Sequence, residues 1–193
     1  MFFHKTIRVH WLLAGALLLS ASAFAQEEGK VEVAAFGGAS YVTGGQGVHP
    51  LFGGSVDTRV VDHLRVFGEF SIMPLASATE SMSGVVASGS EKLTSFGGGL
   101  DYGFGSSKRV VPYVLLAVGD GRLSASATAN GGGYSVSVGM ASNSIYFGVG
   151  GGARIYIGEH WGIKPEVRVE RYGISNVFST VAFTAGLFYQ FGQ

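Results

Sequence analysis

The chain has 193 residues, of which 47% are hydrophobic and 12% are aromatic, with 32 glycines and no cysteine. Its 13 basic and 13 acidic side chains give a formal net charge of zero, which argues against nucleic acid or another polyanion as a partner. The aromatic content argues against a disordered, low-complexity chain, and the absence of cysteine excludes disulfide bonds and a lipidated cysteine anchor.

The first 25 residues have the three parts of a secretory signal peptide. Lys5 and Arg8 form a basic start, residues 11–19 are apolar, and Ala23-Phe24-Ala25 provides the small residues of a cleavage site. The apolar run is too short to span a bilayer as a helix, which needs about 20 residues. We therefore expect cleavage after Ala25 and one domain over residues 26–193, with an uncleaved N-terminal anchor as the alternative.

Eight segments with alternating apolar and polar residues follow. Alternation with a period of two predicts β-strands, because successive side chains point to opposite faces of a sheet. The sixth and seventh strands form a hairpin across the short turn at 158–161. The predicted strands are 30–42, 51–61, 64–73, 93–104, one that begins near 111, two within 148–172, and 179–191.

The connections between these strands alternate in length. Turns at 62–63, 105–109 and 158–161 are short, whereas the longest of the other connections are 74–92 and 120–143. Short turns on one side and long loops on the other are typical of outer-membrane barrels, whose turns lie in the periplasm. A sheet in lipid must close, because lipid cannot hydrogen-bond an unpaired backbone. The sequence thus predicts an all-β fold, an eight-stranded antiparallel up-and-down transmembrane β-barrel.

The two faces of the predicted strands differ in polarity. The apolar face is expected to contact lipid, and its aromatic residues collect near the turn-side ends: Tyr102, Phe104, Trp161, Tyr189 and Phe191. The polar face lines a lumen that, with eight strands, is wide enough only for side chains. Its charged residues should pair as a polar plug, because a lone charge there would be costly. They are Arg65, Glu69, Asp101, Arg154, Glu166, Arg168 and Glu170.

Three stretches carry a resemblance to a known family: GGGARIYIGEHWGIKPEVRVERYG (150–173), LRVFGEFSIM (64–73) and FTAGLFYQFGQ (183–193). The chain resembles small eight-stranded outer-membrane β-barrels such as the OmpA transmembrane domain, OmpX and opacity-like proteins. It departs from the family's terminal aromatic, because Gly192 and Gln193 follow Phe191. The resemblance implies a non-enzymatic protein of the cell outer membrane with surface loops that serve envelope integrity, adhesion or resistance. Its expected partners are outer-membrane lipid, lipopolysaccharide and the outer-membrane assembly machinery.

Other functions fit the sequence less well. Residues 148–153 match G-x-G-x-x-A, but a strand follows where a dinucleotide site needs a helix, so no cofactor is expected. His49, His63 and His160 lack metal-ligand spacing, so no metal is expected either. The alternatives are a lipid-A-modifying enzyme, with His49 as the only nameable base on the loop side, and a narrow pore. A soluble ligand-binding barrel of lipocalin type is a further alternative. It would put the apolar face of the strands inside and the charged face outside.

The longest loop, 120–143, has a pattern of its own. Apolar residues alternate with serine or threonine on both sides of a turn that begins Asn130-Gly131. Asn-Gly and further glycines provide the positive φ angles that a tight hairpin needs. We expect strands five and six to continue beyond the membrane as a two-stranded ribbon, whose unpaired edges bind an extended segment of a surface partner. The alternative is a mobile serine–glycine loop.

Overall fold

The computed structural model describes residues 31–44, 47–82, 85–104, 109–131, 134–173 and 178–192. These residues form eight antiparallel strands, and each pairs with its neighbours in sequence order around a closed barrel. The predicted fold is therefore confirmed. None of the described residues belongs to a helix long and apolar enough to cross a membrane. The strands are β1 (Val31–Val42), β2 (Gly47–Val61), β3 (Leu64–Met82), β4 (Val85–Gly103), β5 (Val110–Gly131), β6 (Tyr134–Tyr156), β7 (Trp161–Tyr172) and β8 (Phe178–Phe191).

The pairing of β1 with β8 closes the barrel. It runs from Val31 opposite Phe191 to Val42 opposite Thr180, without a break in register. Every strand in the ring therefore has a hydrogen-bonded neighbour on both sides, as a sheet surrounded by lipid requires. The predicted cleavage site and signal peptide lie outside the described residues, so they stay predictions.

Side chains alternate between the outside and the lumen along each strand. In β8, Phe183, Leu187 and Tyr189 are exposed outward, whereas Phe188 and Gln190 are buried inside. Aromatic side chains cluster in edge-to-face pairs at the turn end, with ring centroids 5.1 Å apart for Tyr102 and Phe104 and 4.7 Å apart for Tyr189 and Phe191. Such a band is expected at a membrane–water interface, where an aromatic ring can face both lipid and water.

The long loop predicted over 74–92 consists largely of strand, and this part of the prediction was wrong. β3 continues to Met82 and β4 begins at Val85, where the sequence analysis placed a loop over 74–92. β2 also begins four residues earlier than predicted, at Gly47. The residues concerned are mostly Ala, Ser, Thr and Gly, so their alternation has little hydrophobic contrast. The pattern is weak because neither face of these residues meets lipid.

The strands that continue beyond the barrel form a four-stranded sheet. β5 and β6 pair as a hairpin up to Gly131 opposite Tyr134, which confirms that they project together. They are not a two-stranded ribbon, however, because β4 pairs along β5 from Val85 opposite Gly131 downward, and β3 pairs with β4. We call residues 74–82, 85–92, 123–131 and 134–143 the extension. It stands at the end of the barrel opposite the short turns.

Candidate functional site

The turn-side half of the lumen contains a balanced ion cluster around Glu32. The fully buried Glu32 carboxylate lies 2.8 Å from Arg65 Nη1, 3.0 Å from Arg154 Nε and 3.5 Å from Lys164 Nζ. Lys164 also lies 3.4 Å from Asp57. Together with Asp101, which Arg154 binds, these residues provide three acids and three bases. Each buried charge therefore has a partner of opposite sign, which offsets its loss of water.

A second cluster lies around Arg168, closer to the extension. Its guanidinium contacts Glu69, lies 2.7 Å from Glu166 Oε1 and 3.5 Å from Glu170 Oε1. Three carboxylates thus share one cation. Each also accepts a tyrosine hydroxyl: Tyr113 donates to Glu166 at 2.7 Å, Tyr146 to Glu69 at 3.3 Å and Tyr172 to Glu170 at 2.8 Å. The described cluster contains one cation for three carboxylates, and the tyrosine hydroxyls provide the carboxylates with additional hydrogen-bond donors.

Tyr113 separates the two clusters. The Arg154 guanidinium carbon lies 4.6 Å from the centre of its ring, and Lys164 Nζ lies 5.5 Å from it. A small cavity between the clusters, lined in part by Ser55 and Phe67, has a volume of about 20 Å³. That volume holds roughly one water molecule.

Apolar side chains fill the lumen above the Arg168 cluster. The ring of Tyr172 is stacked on that of Phe178 with centroids 4.8 Å apart. The other members of this layer come from the loop-side halves of five strands: Val42, Leu51, Met73, Leu75, Leu93 and Leu123. In the described part of the chain the lumen is therefore filled at this level as well, which does not favour the narrow pore.

The extension has two unlike faces. The face that continues the lumen side is mostly apolar apart from Glu80 and Glu91, and a shallow groove of about 340 Å³ on it is lined in part by Ala78, Ala127, Val136 and Val138. Tyr134 and Met140 lie on the same face of β6 and are largely exposed. The opposite face is rich in hydroxyl groups, and Ser90 and Ser126 are hydrogen-bonded there at 2.9 Å.

The two edges of the extension also differ. The β3 edge has an irregular register between Pro74 and Ala76, and it carries Glu80. The β6 edge, residues 134–143, contains no charged residue and no proline, and its pairing with β5 is regular. Within the described ranges these β6 residues pair with β5 alone, because pairing with β7 begins lower, where Gly173 N donates to Ile145 O at 3.0 Å.

Comparison with known proteins establishes the family. The family model described as "Outer membrane protein beta-barrel domain" matches residues 11–191. The chain belongs to this outer-membrane β-barrel family. Membership places the barrel in the outer membrane, with the short turns in the periplasm and the extension at the cell surface. Among curated protein sequences, none matches this chain.

Solved outer-membrane barrels have a similar fold. Neisserial surface protein A is 19% identical with a TM-score of 0.60, and the match covers 86% of this chain and 98% of that protein. Ail, the attachment invasion locus protein of Yersinia pestis in complex with the heparin analogue sucrose octasulfate, is 18% identical with a TM-score of 0.58, covering 84% and 99%. A major outer membrane protein from Thermus thermophilus is 13% identical with a TM-score of 0.58, covering 83% and 99%.

The outer-membrane barrel brings the seven charged residues of the predicted plug into the lumen. Arg65, Asp101 and Arg154 lie in the turn-side cluster, and Glu69, Glu166, Arg168 and Glu170 lie in the other cluster. The prediction omitted Glu32, Asp57 and Lys164, although Glu32 and Lys164 each stand between apolar residues and Asp57 follows Val56. It also omitted Tyr113, Tyr146 and Tyr172, because a tyrosine in a strand fits the lumen and the membrane interface equally well.

The three histidines of the barrel lie apart from one another. His63 and His160 lie at the periplasmic turns, against the rings of Tyr102 and Tyr189. His49 lies in β2 near the cell-surface end, opposite Ser40 of β1, whose side chain is only 1% exposed. A serine buried to this extent is not placed to attack a lipid ester from the membrane. Within the described ranges, no three His, Cys, Asp or Glu residues are grouped to hold a metal ion.

Proposed function

We propose that this outer-membrane β-barrel is a non-enzymatic surface adhesion protein whose extension binds an extended segment of a partner protein at the free edge of β6. The observation that carries the proposal is this edge, ten residues long, regular, uncharged and without proline. Proteins commonly protect an exposed edge with charges, proline or a bulge, because an unprotected edge pairs with other chains. The β3 edge of the same sheet has such protection.

The backbone of β6 determines which groups a partner would meet. Ile145 O accepts a hydrogen bond from Gly173 N, just beyond the end of β7, so the odd-numbered residues of β6 direct their backbone groups away from β5. By the same alternation, Ser135, Ser137, Gly139, Ala141 and Asn143 present their N–H and C=O groups at the free edge. A partner strand would bind these groups and place every second side chain on the apolar face beside Val136 and Val138.

The charges of the extension favour a peptide over a polyanion. Its apolar face carries Glu80 and Glu91, and the described residues of that face include no lysine or arginine. Ail was solved with a sulfated heparin analogue, but an acidic face would repel such a ligand. A partner segment with alternating apolar side chains fits the face better.

Peptide display tests the proposal. A library of unstructured peptides is panned against the full-length protein in lipid vesicles, and the enriched peptides are measured on variants. Ser137→Pro removes one free-edge N–H without touching the ladder to β5, so binding should be lost. Ser137→Ala keeps that N–H and should bind like the wild type. Enriched peptides that bind Ser137→Pro equally well would contradict strand addition at this edge.

A separate assay addresses the enzymatic alternative. Vesicles that contain lipid A are incubated with the wild-type protein, and the lipid is analysed by mass spectrometry. We expect unchanged lipid A, because Ser40 is buried beside His49. Loss or transfer of an acyl chain would show that the barrel is an enzyme.

A further inference from the structure

We propose that the segment bound by the β6 edge is the same edge of a second copy, presented by an opposing membrane. This inference rests on the proposed function and names its partner. The paired extensions would form one continuous eight-stranded sheet that joins two cells. The β6 edge carries no charge, its side chains are self-complementary, and the barrel holds its direction fixed.

The absence of charge permits self-association. Two identical charged edges repel each other, whereas residues 134–143 contain no acidic or basic side chain. The β3 edge would bring Glu80 of one copy close to Glu80 of the other, and its irregular register at Pro74 interrupts pairing. Of the two edges that the described extension leaves open, β6 is therefore the one suited to a second copy.

An antiparallel pair centred on Ser137 matches apolar side chains with apolar side chains. In this register, Val136 of each copy lies opposite Val138 of the other, and Tyr134 lies opposite Met140. All four residues belong to the apolar face of the extension and are more than 60% exposed. Ser137 meets its own counterpart through the free N–H and C=O groups, so the contact is a closed two-fold pair. The apolar faces of both copies then lie on the same side of the joined sheet.

The direction of the strands requires two membranes. In one membrane all copies have β6 running from the cell surface toward the periplasm, so neighbouring edges can pair only in parallel. Parallel edges cannot form the two-fold pair centred on Ser137. The β6 strands of copies in facing membranes run in opposite directions, so they can form this pair. Residues 134–143 span about 33 Å at ~3.3 Å per residue, which carries the edge well beyond the lipid surface.

Vesicle clustering tests the inference with the full-length protein. Two populations of protein-containing vesicles with different lipid dyes are mixed, and dye co-localisation is measured together with light scattering. Wild-type and Ser137→Ala vesicles should cluster, and Ser137→Pro vesicles should remain single. Clustering of Ser137→Pro vesicles, or association of copies within one membrane without clustering, would overturn the inference. A gel-mobility shift on boiling confirms that each variant is folded.

A charge pair tests the register. Val136→Lys vesicles and Val138→Glu vesicles should each cluster poorly alone, because a charge then enters the apolar contact. Mixed together they should cluster, since Lys and Glu lie directly opposite in the proposed register. Equal behaviour of mixed and unmixed populations would overturn that register. If displayed peptides bind the edge but no vesicles cluster, the second copy is wrong and the proposed function stands.

Discussion

Arg154 of β6 and Asp101 of β4 are joined by two parallel hydrogen bonds across the lumen, of 3.1 Å from Nη1 and 2.8 Å from Nη2. β5 lies between these two strands, so the contact links parts of the barrel that share no backbone hydrogen bonds. The same guanidinium donates from Nε to Glu32 of β1. A single buried side chain thus connects three strands, and its removal would leave Asp101 without this ion pair and Glu32 with one cation fewer.

We expect Arg154→Met to lower the free energy of unfolding by about 3–5 kcal/mol, because breaking one side of a buried ion pair leaves an uncompensated charge. Urea titration of the protein in lipid vesicles provides the measurement. Arg171→Met is the matched control: Arg171 is exposed, so its loss should change stability by less than about 0.5 kcal/mol. Equal losses for both variants would show that the cluster does not stabilise the barrel.

The cluster around Arg168 should respond differently to single and double substitutions. Arg168→Met leaves Glu69, Glu166 and Glu170 without their shared cation. In the double variant with Glu69→Gln, one of these negative charges is gone. The double variant should therefore be less destabilised than the sum of the two single variants, with a coupling of about 0.5–3 kcal/mol. Additive losses in urea titrations would mean that these groups act independently.

A charge at Val167 distinguishes the lipid face from the lumen. Val167 lies near the middle of β7 with 43% of its surface exposed, between the inward-facing Glu166 and Arg168. Val167→Arg should cost about 2–4 kcal/mol if the residue lies at the bilayer midplane. Val136→Arg, in the extension, is the control and should cost little, since that side chain meets water. Equal tolerance of both substitutions in refolding titrations would show that β7 is assigned to the wrong face.

Gly119 makes room for the ring of Tyr146 in the lumen. A Cβ atom added at this glycine would lie 2.5 Å from Tyr146 Cε1 and 2.6 Å from the Cα of Gly97 on the neighbouring strand. Gly119→Ala should therefore destabilise the barrel by about 1–3 kcal/mol through overpacking. Gly139→Ala is the control, because its nearest neighbour would be 3.9 Å away. Similar unfolding curves for both variants would exclude a steric role for Gly119.

The signal peptide can be tested by intact-mass analysis of protein purified from the outer membrane. We expect a mass that begins at Gln26, because Ala23-Phe24-Ala25 fits the cleavage site of an exported protein. Replacing Ala25 with a bulky residue such as Phe should slow processing, while Ser20→Ala outside the site should not. Recovery of residues 1–25 on the wild-type protein would favour the uncleaved anchor instead.

The sequence alone determined the fold and the face on which most side chains lie. In a membrane the two sides of a strand face different solvents. The polarity of neighbouring residues such as Arg168 and Val169 therefore shows which side of the strand faces the lumen and which faces lipid. The number of strands follows for the same reason, as does the position of the short turns. Closure of the sheet into a barrel also follows, because lipid cannot hydrogen-bond the backbone groups of an open sheet edge.

Only the tertiary structure decided which charges pair and how far the strands continue. Glu32 and Arg154 are 122 residues apart and meet because the ring of strands places β1 and β6 across the lumen, a relationship that no local pattern contains. Beyond the membrane both faces of the sheet meet water, so the contrast between alternating residues fades. Residues 74–92 therefore resemble a loop in sequence, although β4 completes the extension by pairing with β5. Among the residues that the structure describes, that pairing leaves β6 as the open edge.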